Sequence, residues 1–122
     1  MSYRLKVKLS DTQAAERLKA AIEKDAGAAG DTRAPVSDNG VGLSASKIEH
    51  RGDGVQLLTI ALTIPAGITV NIASEWIKRY LDRNNADRSI RSADILQTDE
   101  IIDADGHTNN VMNRHPVELD RG

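Results

Sequence analysis

Apolar and polar residues alternate along the start of the chain, in the segment SYRLKVKLS. Alternation places every second side chain on the same face of an extended backbone, so this segment predicts a strand with one face in the core. The apolar face holds Tyr3, Leu5, Val7 and Leu9. The opposite face holds Arg4, Lys6 and Lys8.

A helix is predicted directly after this strand. Ser10 opens the sequence S-D-T-Q, in which Gln13 follows the hydroxyl at the spacing of a capping box. From there to about Asp25, apolar residues recur at spacings of three and four, which predicts an amphipathic helix with a solvated opposite face. The apolar positions are Ala14, Leu18, Ala21 and Ile22.

The periodic pattern stops between residues 26 and 45. This segment is rich in Gly, Ala, Ser, Asp and Pro, and we interpret it as a flexible loop. A short strand is expected around Lys47 to Arg51. A turn should follow it and end at Gly54.

An uncharged segment, residues 54–74, fits more than one structure. Residues 55–64 predict either a strand or a short buried helix, and Pro65 fits the first position of a helix or a kink. Beyond Pro65, an apolar stripe predicts an amphipathic helix that ends at Asn84-Asn85. The stripe holds Ile68, Ile72, Ala73, Trp76, Ile77, Tyr80 and Leu81.

The length of this apolar segment raises the alternative of a membrane span. Glu75 would cost roughly 2–3 kcal/mol deep in a bilayer, and Pro65 and Gly67 interrupt the middle. These residues favour a buried hairpin core. An interfacial helix that uses Trp76 with neighbouring cations is a further alternative.

The last third of the chain predicts mostly strands. Residues 89–96 fit a strand, although residues 93–102 also fit a short helix. The segment EIIDADGHTNNV predicts a β-hairpin that turns at Asp105-Gly106, and residues 116–122 are expected to fray. The whole pattern predicts one α+β domain over residues 1–122: an N-terminal strand and capped helix, a long apolar segment ending in an amphipathic helix, and a C-terminal hairpin.

Composition narrows the classes of function. The 122 residues contain no Phe and one Trp, so the core must be built from Leu, Ile, Val and Ala, and pairing with another chain would add stability. A net charge of −2 argues against a dedicated nucleic-acid binder. The absence of Cys excludes disulfides and thiolate chemistry and fits a cytoplasmic location. The alternating N-terminus lacks the unbroken apolar stretch of a signal peptide.

Two short motifs bear on metal or cofactor binding. The sequence DADGH offers Asp103, Asp105 and His107 to a cation, but a calcium loop needs more oxygen ligands, and Asp-Gly favours a turn. The segment VSDNGVGL resembles the Asp-x-Gly-x-Gly box of histidine-kinase-like ATPases but lacks the other motifs of that fold. We therefore predict no metal and no cofactor.

No group of residues predicts catalysis. His50, His107 and His115 stand far apart, without the neighbours of a catalytic triad. Arg51-Gly52-Asp53 matches an integrin-type tripeptide, but it is better explained as a turn. We expect a protein that is not an enzyme.

Charge is unevenly distributed in the second half of the chain. A basic group holds Lys78, Arg79, Arg83, Arg88 and Arg91. An acidic group follows, with Asp94, Asp99, Glu100, Asp103 and Asp105. The simplest explanation is that the two segments are neighbours that partly neutralise each other, while binding or mimicry of nucleic acid is the alternative.

The order of these parts resembles the effector-associated constant component family of bacterial conflict and defence systems. The resemblance rests on the strand YRLKVKL, on the segment ASEWIKRYLDR with Trp76, Ile77 and Arg79, and on the turn at Asp105 and Gly106. It covers most of the chain as a pattern. It implies an adaptor without catalytic residues that couples effectors to partner proteins.

These observations predict a cytoplasmic, non-enzymatic interaction module that contacts a protein partner or a second copy of itself. Trp76 and Tyr80 also belong to the apolar stripe, which favours a place in the core for these two residues. The predicted contact residues lie on the exposed fringe of the second helix, since Trp, Tyr and Arg are typical of interface hot spots. They are Trp76, Lys78, Arg79, Tyr80 and Arg83. The alternatives are a nucleic-acid-binding or nucleic-acid-mimicking protein and a peripheral membrane protein.

Overall fold

A computed structural model of the chain describes residues 2–36, 40–50, 54–85 and 87–119. These ranges form six strands and two helices, which confirms the predicted α+β class. In chain order the elements are β1 (Ser2–Leu9), α1 (Thr12–Ala28), β2 (Ala34–Pro35), β3 (Gly42–His50), β4 (Gln56–Thr63), α2 (Val70–Arg83), β5 (Ile90–Ile102) and β6 (Thr108–Val117).

All six strands join one antiparallel sheet in the order β2-β3-β4-β1-β5-β6. The unit β1-α1-β3-β4-α2-β5 has the β-α-β-β-α-β arrangement of ferredoxin-like folds, with β1 between β4 and β5 at the centre. The short β2 is added at one edge and the long β6 at the other. This architecture serves many unrelated functions, so it identifies none by itself.

Both helices pack on the same face of the sheet, which we call the core face. Leu5 and Val7 of β1 lie on it, together with the alternate residues of the neighbouring strands, Ile60 and Leu58 of β4. The helices contribute apolar residues at helical spacing, among them Ile22 and Ile77, which are fully buried. The alternation that predicted the first strand therefore also predicted which of its faces is covered.

Helix α1 begins one residue later than the capping-box pattern predicts. The N-cap residue is Asp11, whose carboxylate oxygen accepts a hydrogen bond from the Ala14 N–H at 2.7 Å. The backbone N–H of Ser10 donates instead to the carbonyl of Ser89, which ties the end of β1 to the chain that leads into β5. The prediction of Ser10 as the cap was wrong because its neighbour supplies a better-placed carboxylate.

The cap assignment predicts different costs for two adjacent substitutions. Asp11→Ala should lower the free energy of unfolding by about 1 kcal/mol, since an orphan helix N–H loses its acceptor. Ser10→Ala should change it by less than about 0.5 kcal/mol, since the backbone bond to Ser89 is kept. Urea denaturation of the two variants measures the difference, and equal losses would restore Ser10 as the cap.

The predicted flexible loop over residues 26–45 is largely replaced by regular structure. Helix α1 continues to Ala28, and Ala26 is buried. Ala34 and Pro35 form β2, which pairs with the start of β3 at Gly42 and Leu43. The Ala-rich and Gly-rich composition conceals these elements because their stability comes from pairing and burial rather than from an apolar period. Residues 37–39 lie outside the described residues.

The ambiguous segment before the second helix is a strand. Strand β4 pairs on both sides, with β1 and with β3, and the local pattern does not reveal these distant neighbours. Pro65 neither begins a helix nor kinks one. Its carbonyl accepts from the Ile68 N–H at 3.2 Å with Gly67 at φ 91°, a turn that requires glycine in this position. Helix α2 is capped by Thr69, whose hydroxyl accepts from the Ile72 N–H.

The C-terminal hairpin is confirmed and is longer than predicted. Residues 90–102 form one continuous strand, so the alternative helix over residues 93–102 is absent. Strand β6 extends to Val117, which is 5% exposed and packs in the core. The predicted fraying from residue 116 is therefore wrong for residues 116 and 117, while residues 120–122 lie outside the described residues.

Candidate protein-interaction surface

The β5–β6 hairpin projects beyond the rest of the sheet. Strand β1 pairs with β5 as far as Thr98, opposite Ser2, and four further residue pairs of the hairpin follow. At about 3.4 Å per residue, these pairs extend roughly 14 Å before the connecting loop. We call residues 98–112 the arm. A two-stranded ribbon without a covered face is only marginally stable in water. Contact with another molecule would stabilise an arm of this length.

The arm exposes apolar side chains on both of its faces. Five large apolar residues of the described chain are exposed, and four of them belong to the arm. These four are Ile101 at 50%, Ile102 at 71%, Val111 at 37% and Met112 at 63% exposure. Covering a side chain of this kind is worth about 1.5–3 kcal/mol, so the arm is the region with most to gain from contact with another molecule.

The register divides these side chains between the two faces of the ribbon. Val111 pairs with Asp99 and lies diagonally next to Ile101 on the continuation of the core face. Met112 pairs with Thr98 on the opposite face, diagonally next to Leu96. Neither helix covers the arm, because α2 packs near the base of β6, where Val117 is buried.

The loop at the tip of the arm is held by Asp103. Its Oδ1 accepts from the N–H groups of Asp105 and His107, at 3.0 and 2.9 Å. The Asp103 N–H donates to the His107 carbonyl, and Gly106 takes φ 78°, a left-handed conformation that glycine adopts without strain. The predicted turn at Asp105-Gly106 is confirmed.

The same three residues form the cluster of metal-ligand type noted in the sequence. Asp103, Asp105 and His107 each bring one ligand atom within 4.8 Å of the others at the tip of the arm. The hydrogen bonds that Asp103 accepts account for its position without a cation. An exposed cluster of this kind needs more oxygen ligands to hold a hard cation.

Tyr80, one of the predicted contact residues, belongs to the core. It is 2% exposed, and its hydroxyl donates a hydrogen bond to the Asp25 carboxylate of α1 at 2.6 Å. Burial raises the pKa of Tyr80, and the hydrogen bond and negative charge of Asp25 raise it further. Its assignment to the exposed fringe was wrong, because the apolar stripe of α2 turns the ring inward while the hydroxyl reaches the rim.

The other predicted contact residues stay at or near the surface of α2. Trp76 is half-buried and packs against the core, which leaves little of its ring for an interfacial membrane helix. Lys78 binds Asp82 one helical turn away at 2.9 Å. Arg79 and Arg83 are exposed, with the Arg83 guanidinium 5.6 Å from the centroid of the Tyr80 ring. This face is polar and has no exposed aromatic ring among the described residues.

The sheet face opposite the helices, the open face, carries a central basic row. Arg4, Lys6 and Lys8 of β1 line it, and Lys47 of β3 lies on the same face on the far side of β4. Carboxylates interrupt this row, because Asp94 stands opposite Lys6 and accepts from Arg114 at 2.9 Å. Lys6 itself donates to Thr59. The mixture of signs, without an aromatic ring among the described residues of this face, is typical of a solvated surface rather than a single-strand binding platform.

The charged residues of the basic and acidic segments form their ion pairs mainly with residues other than those of the opposite segment. Lys78 pairs within its own helix with Asp82, and Asp94 pairs across the sheet with Arg114. Arg17 of α1 binds Asp87, an acidic residue within the basic segment. Hydrogen bonds from Ser89 lower the pKa of Asp87. The charge pattern thus follows strand pairing and helix spacing more than proximity along the chain.

Comparison of the chain with protein-family models, with curated proteins and with solved structures gives no match. Within the described residues, neither helix has the length and apolar character needed to cross a bilayer. Arg51-Gly52-Asp53 and Asp38 lie outside the described residues.

Sequence reasoning missed the arm as the exposed apolar region. The signal was present in EII and VMN, where apolar residues stand next to each other instead of alternating, so a strand must show apolar side chains on both faces. A strand of this kind is either buried on both sides or exposes apolar side chains that a partner can cover. The tertiary structure distinguishes the two, since neither helix covers the arm and its apolar side chains are exposed.

Proposed function

We propose that this protein is a non-enzymatic interaction module that binds its partner through the arm. One observation carries the proposal: the exposed large apolar residues of the described chain are concentrated in a projecting ribbon that the core does not need. The resemblance to adaptor-like effector-associated constant components supports it. An adaptor of a bacterial or phage conflict system, working in the cytoplasm, is the corresponding biological role.

The predicted fringe of α2 takes a secondary place in this proposal. Tyr80 serves the core, Trp76 is half-buried, and Lys78 is paired within the helix. Arg79 and Arg83 are the members with exposed charge. They suit the polar rim of an interface, where a charge adjusts the rate and specificity of association more than its strength.

Nucleic-acid binding is the second candidate, favoured by the basic row on the open face. It requires Arg4 and Lys8 to contact phosphates without hindrance from the interleaved carboxylates. Each such contact would make affinity fall with rising salt. The net charge of −2 and the pairing of Asp94 with Arg114 favour the protein-interaction function over this one.

A pair of matched variants tests the role of the arm. Ile102→Ser/Met112→Ser removes the two most exposed apolar side chains of the arm, and Ile72→Ser removes the exposed apolar residue of α2 at 44% exposure. Each protein would be tagged and used to capture binding partners, including an untagged second copy. We expect wild type and Ile72→Ser to retain the same partner and the arm variant to lose it.

Stability controls make this comparison interpretable. Because these side chains are exposed, each substitution should change the free energy of unfolding by less than about 1 kcal/mol, which thermal unfolding measures. If Ile72→Ser loses the partner and the arm variant retains it, the interface lies on α2. That result would refute the proposed role of the arm. Binding to DNA that weakens steeply with salt, and that Arg4→Gln/Lys8→Gln abolishes, would favour the second candidate.

A further inference from the structure

The two edges of the sheet are protected very differently against pairing with another chain. The β2 edge has two residues, of which Pro35 lacks an N–H. The β6 edge has ten residues and is exposed over most of its length. Natural sheets usually guard such an edge with charges, yet residues 108–113 carry none in a chain with 28% charged residues.

The phase of the hairpin shows which backbone groups of β6 point outward. The Asp103 N–H donates to the His107 carbonyl at 2.9 Å, so this pair is hydrogen-bonded within the hairpin. Bonded and non-bonded pairs alternate in an antiparallel ladder, so the even-numbered residues from 108 to 116 direct their N–H and C=O groups to the free edge. Pro116 falls in this outward set, where proline is tolerated. The free edge is therefore residues 108–114.

We infer that this edge binds the same edge of a second copy, antiparallel, about a two-fold axis at Val111. The inference rests on the proposed function and names its partner. The free edge runs from residue 108 to residue 114, and Val111 is its midpoint. Pairing about Val111 therefore uses every residue of this edge. Asn110 then pairs with Met112 of the second copy and Thr108 with Arg114 of the second copy. Both pairs join outward-directed backbone groups, as an antiparallel ladder requires.

The side chains agree with this register. Val111 meets Val111 of the second copy at a non-hydrogen-bonded position, where side chains approach most closely. Arg114 lies opposite Thr108 instead of opposite itself, which avoids a like-charge pair and brings the cation near the acidic tip with Asp103 and Asp105. The two-fold symmetry is the usual one for soluble homo-oligomers. The sheets of the two copies become continuous, and each arm gains the neighbour strand that it lacks.

Single-cysteine variants test both the contact and its register, because the protein contains no Cys of its own. Directly opposite residues at a non-hydrogen-bonded position have Cα atoms about 4.5 Å apart, within the range that a disulfide spans. Val111→Cys alone should therefore form a covalent dimer under mild oxidation. Asn109→Cys alone should not, since Asn109 faces Asn113 of the second copy, but a mixture of Asn109→Cys and Asn113→Cys should cross-link.

Charge exchange at the same position gives a reversible test. Val111→Lys and Val111→Glu each place like charges opposite each other, so each should raise the dimer dissociation constant about tenfold or more. An equimolar mixture should restore the dimer, because Lys then faces Glu across the axis. Val111→Thr, which keeps the β-branched shape without charge, is the matched control and should remain dimeric. Sedimentation equilibrium measures all four samples.

Each outcome decides for or against self-pairing. A wild-type protein that sediments as a monomer at concentrations up to about 1 mM overturns it. So does a dimer that Val111→Lys leaves intact, or cross-linking by Asn109→Cys alone. In the first case, loss of a different captured protein in Ile102→Ser/Met112→Ser would still support the proposed function, so the two proposals fail separately.

Discussion

Ile77→Ala should lower the free energy of unfolding by about 2–5 kcal/mol. Ile77 is fully buried, on the face of α2 that packs against the sheet, so the substitution leaves a cavity in a core without Phe. The loss would be a large part of the total stability expected for a domain of this size. Urea denaturation gives the value, and an unchanged slope with denaturant shows that the unfolded state is comparable.

The same substitution at Ile72 is the matched control. Ile72 lies in the same helix and belongs to the same apolar stripe, but it is 44% exposed. Ile72→Ala should change stability by less than about 1 kcal/mol, since little burial is lost and alanine favours the helix. A loss at Ile72 as large as that at Ile77 would contradict the position of α2 on the sheet.

Tyr80→Phe is expected to cost about 1–2 kcal/mol at neutral pH. The substitution keeps the buried ring and removes the hydroxyl that donates to Asp25. Within the described structure, the loss of this hydrogen bond is the only change in hydrogen bonding. Asp25 is exposed and regains water, which keeps the cost below that of a fully buried charged pair. Asp25→Asn is the complementary variant, because an amide oxygen still accepts from the hydroxyl.

The pH dependence of this contact has a definite sign. The pKa of Tyr80 is raised in the folded protein above its ordinary value of 10.0, while the unfolded chain ionises near that value. Above about pH 10 the unfolded state therefore loses a proton that the folded state keeps, so stability falls as pH rises. Tyr80→Phe should flatten this part of the curve of stability against pH. An identical alkaline slope in both proteins would show that other groups cause it.

The structure separates the part of the protein that holds the fold from the part available for recognition. Core residues come from both helices, from β1 to β4 and from the base of the β5–β6 hairpin. The arm adds no fully buried side chain. Substitutions in the arm can therefore change which partner fits without disturbing the core. An interaction module needs this separation.

The edge of the sheet gives the arm a further property. Backbone pairing supplies affinity with little dependence on sequence, whereas the side chains that alternate on the two faces determine which partner fits. On this edge, Val111 and Met112 lie between Asn residues, and the first charge is Arg114. An edge of this kind can pair with an uncharged strand. It carries little charge that would repel the same edge of a second copy.

Local pattern was sufficient for the elements with strong periodicity. The alternation of β1 and the apolar stripe of α2 are consequences of backbone geometry, so they predicted both elements and most of their buried residues, Ile72 being the exception in α2. The hairpin at Asp105-Gly106 followed from turn chemistry in the same way. Within this hairpin, the Asp103 carboxylate accepts hydrogen bonds from the backbone N–H groups of the turn.

Long-range pairing decided what the local pattern left open. Residues 56–63 are a strand because β1 and β3 flank them, and Ala34 and Pro35 are ordered because β3 pairs with them. The backbone N–H of Ser10 donates to the carbonyl of Ser89, a residue distant in sequence. None of these partners can be deduced from a short window.

The sequence by itself therefore determined the α+β class, the strongly periodic strand and helix, and the C-terminal hairpin, because each depends on contacts between near neighbours. Tertiary structure alone decided which surface is available. It buried Tyr80 by the packing of α2 on the core, and it left Ile101, Ile102, Val111 and Met112 exposed because neither helix covers the arm. Exposure depends on what lies above a side chain, and that is fixed only when distant segments meet.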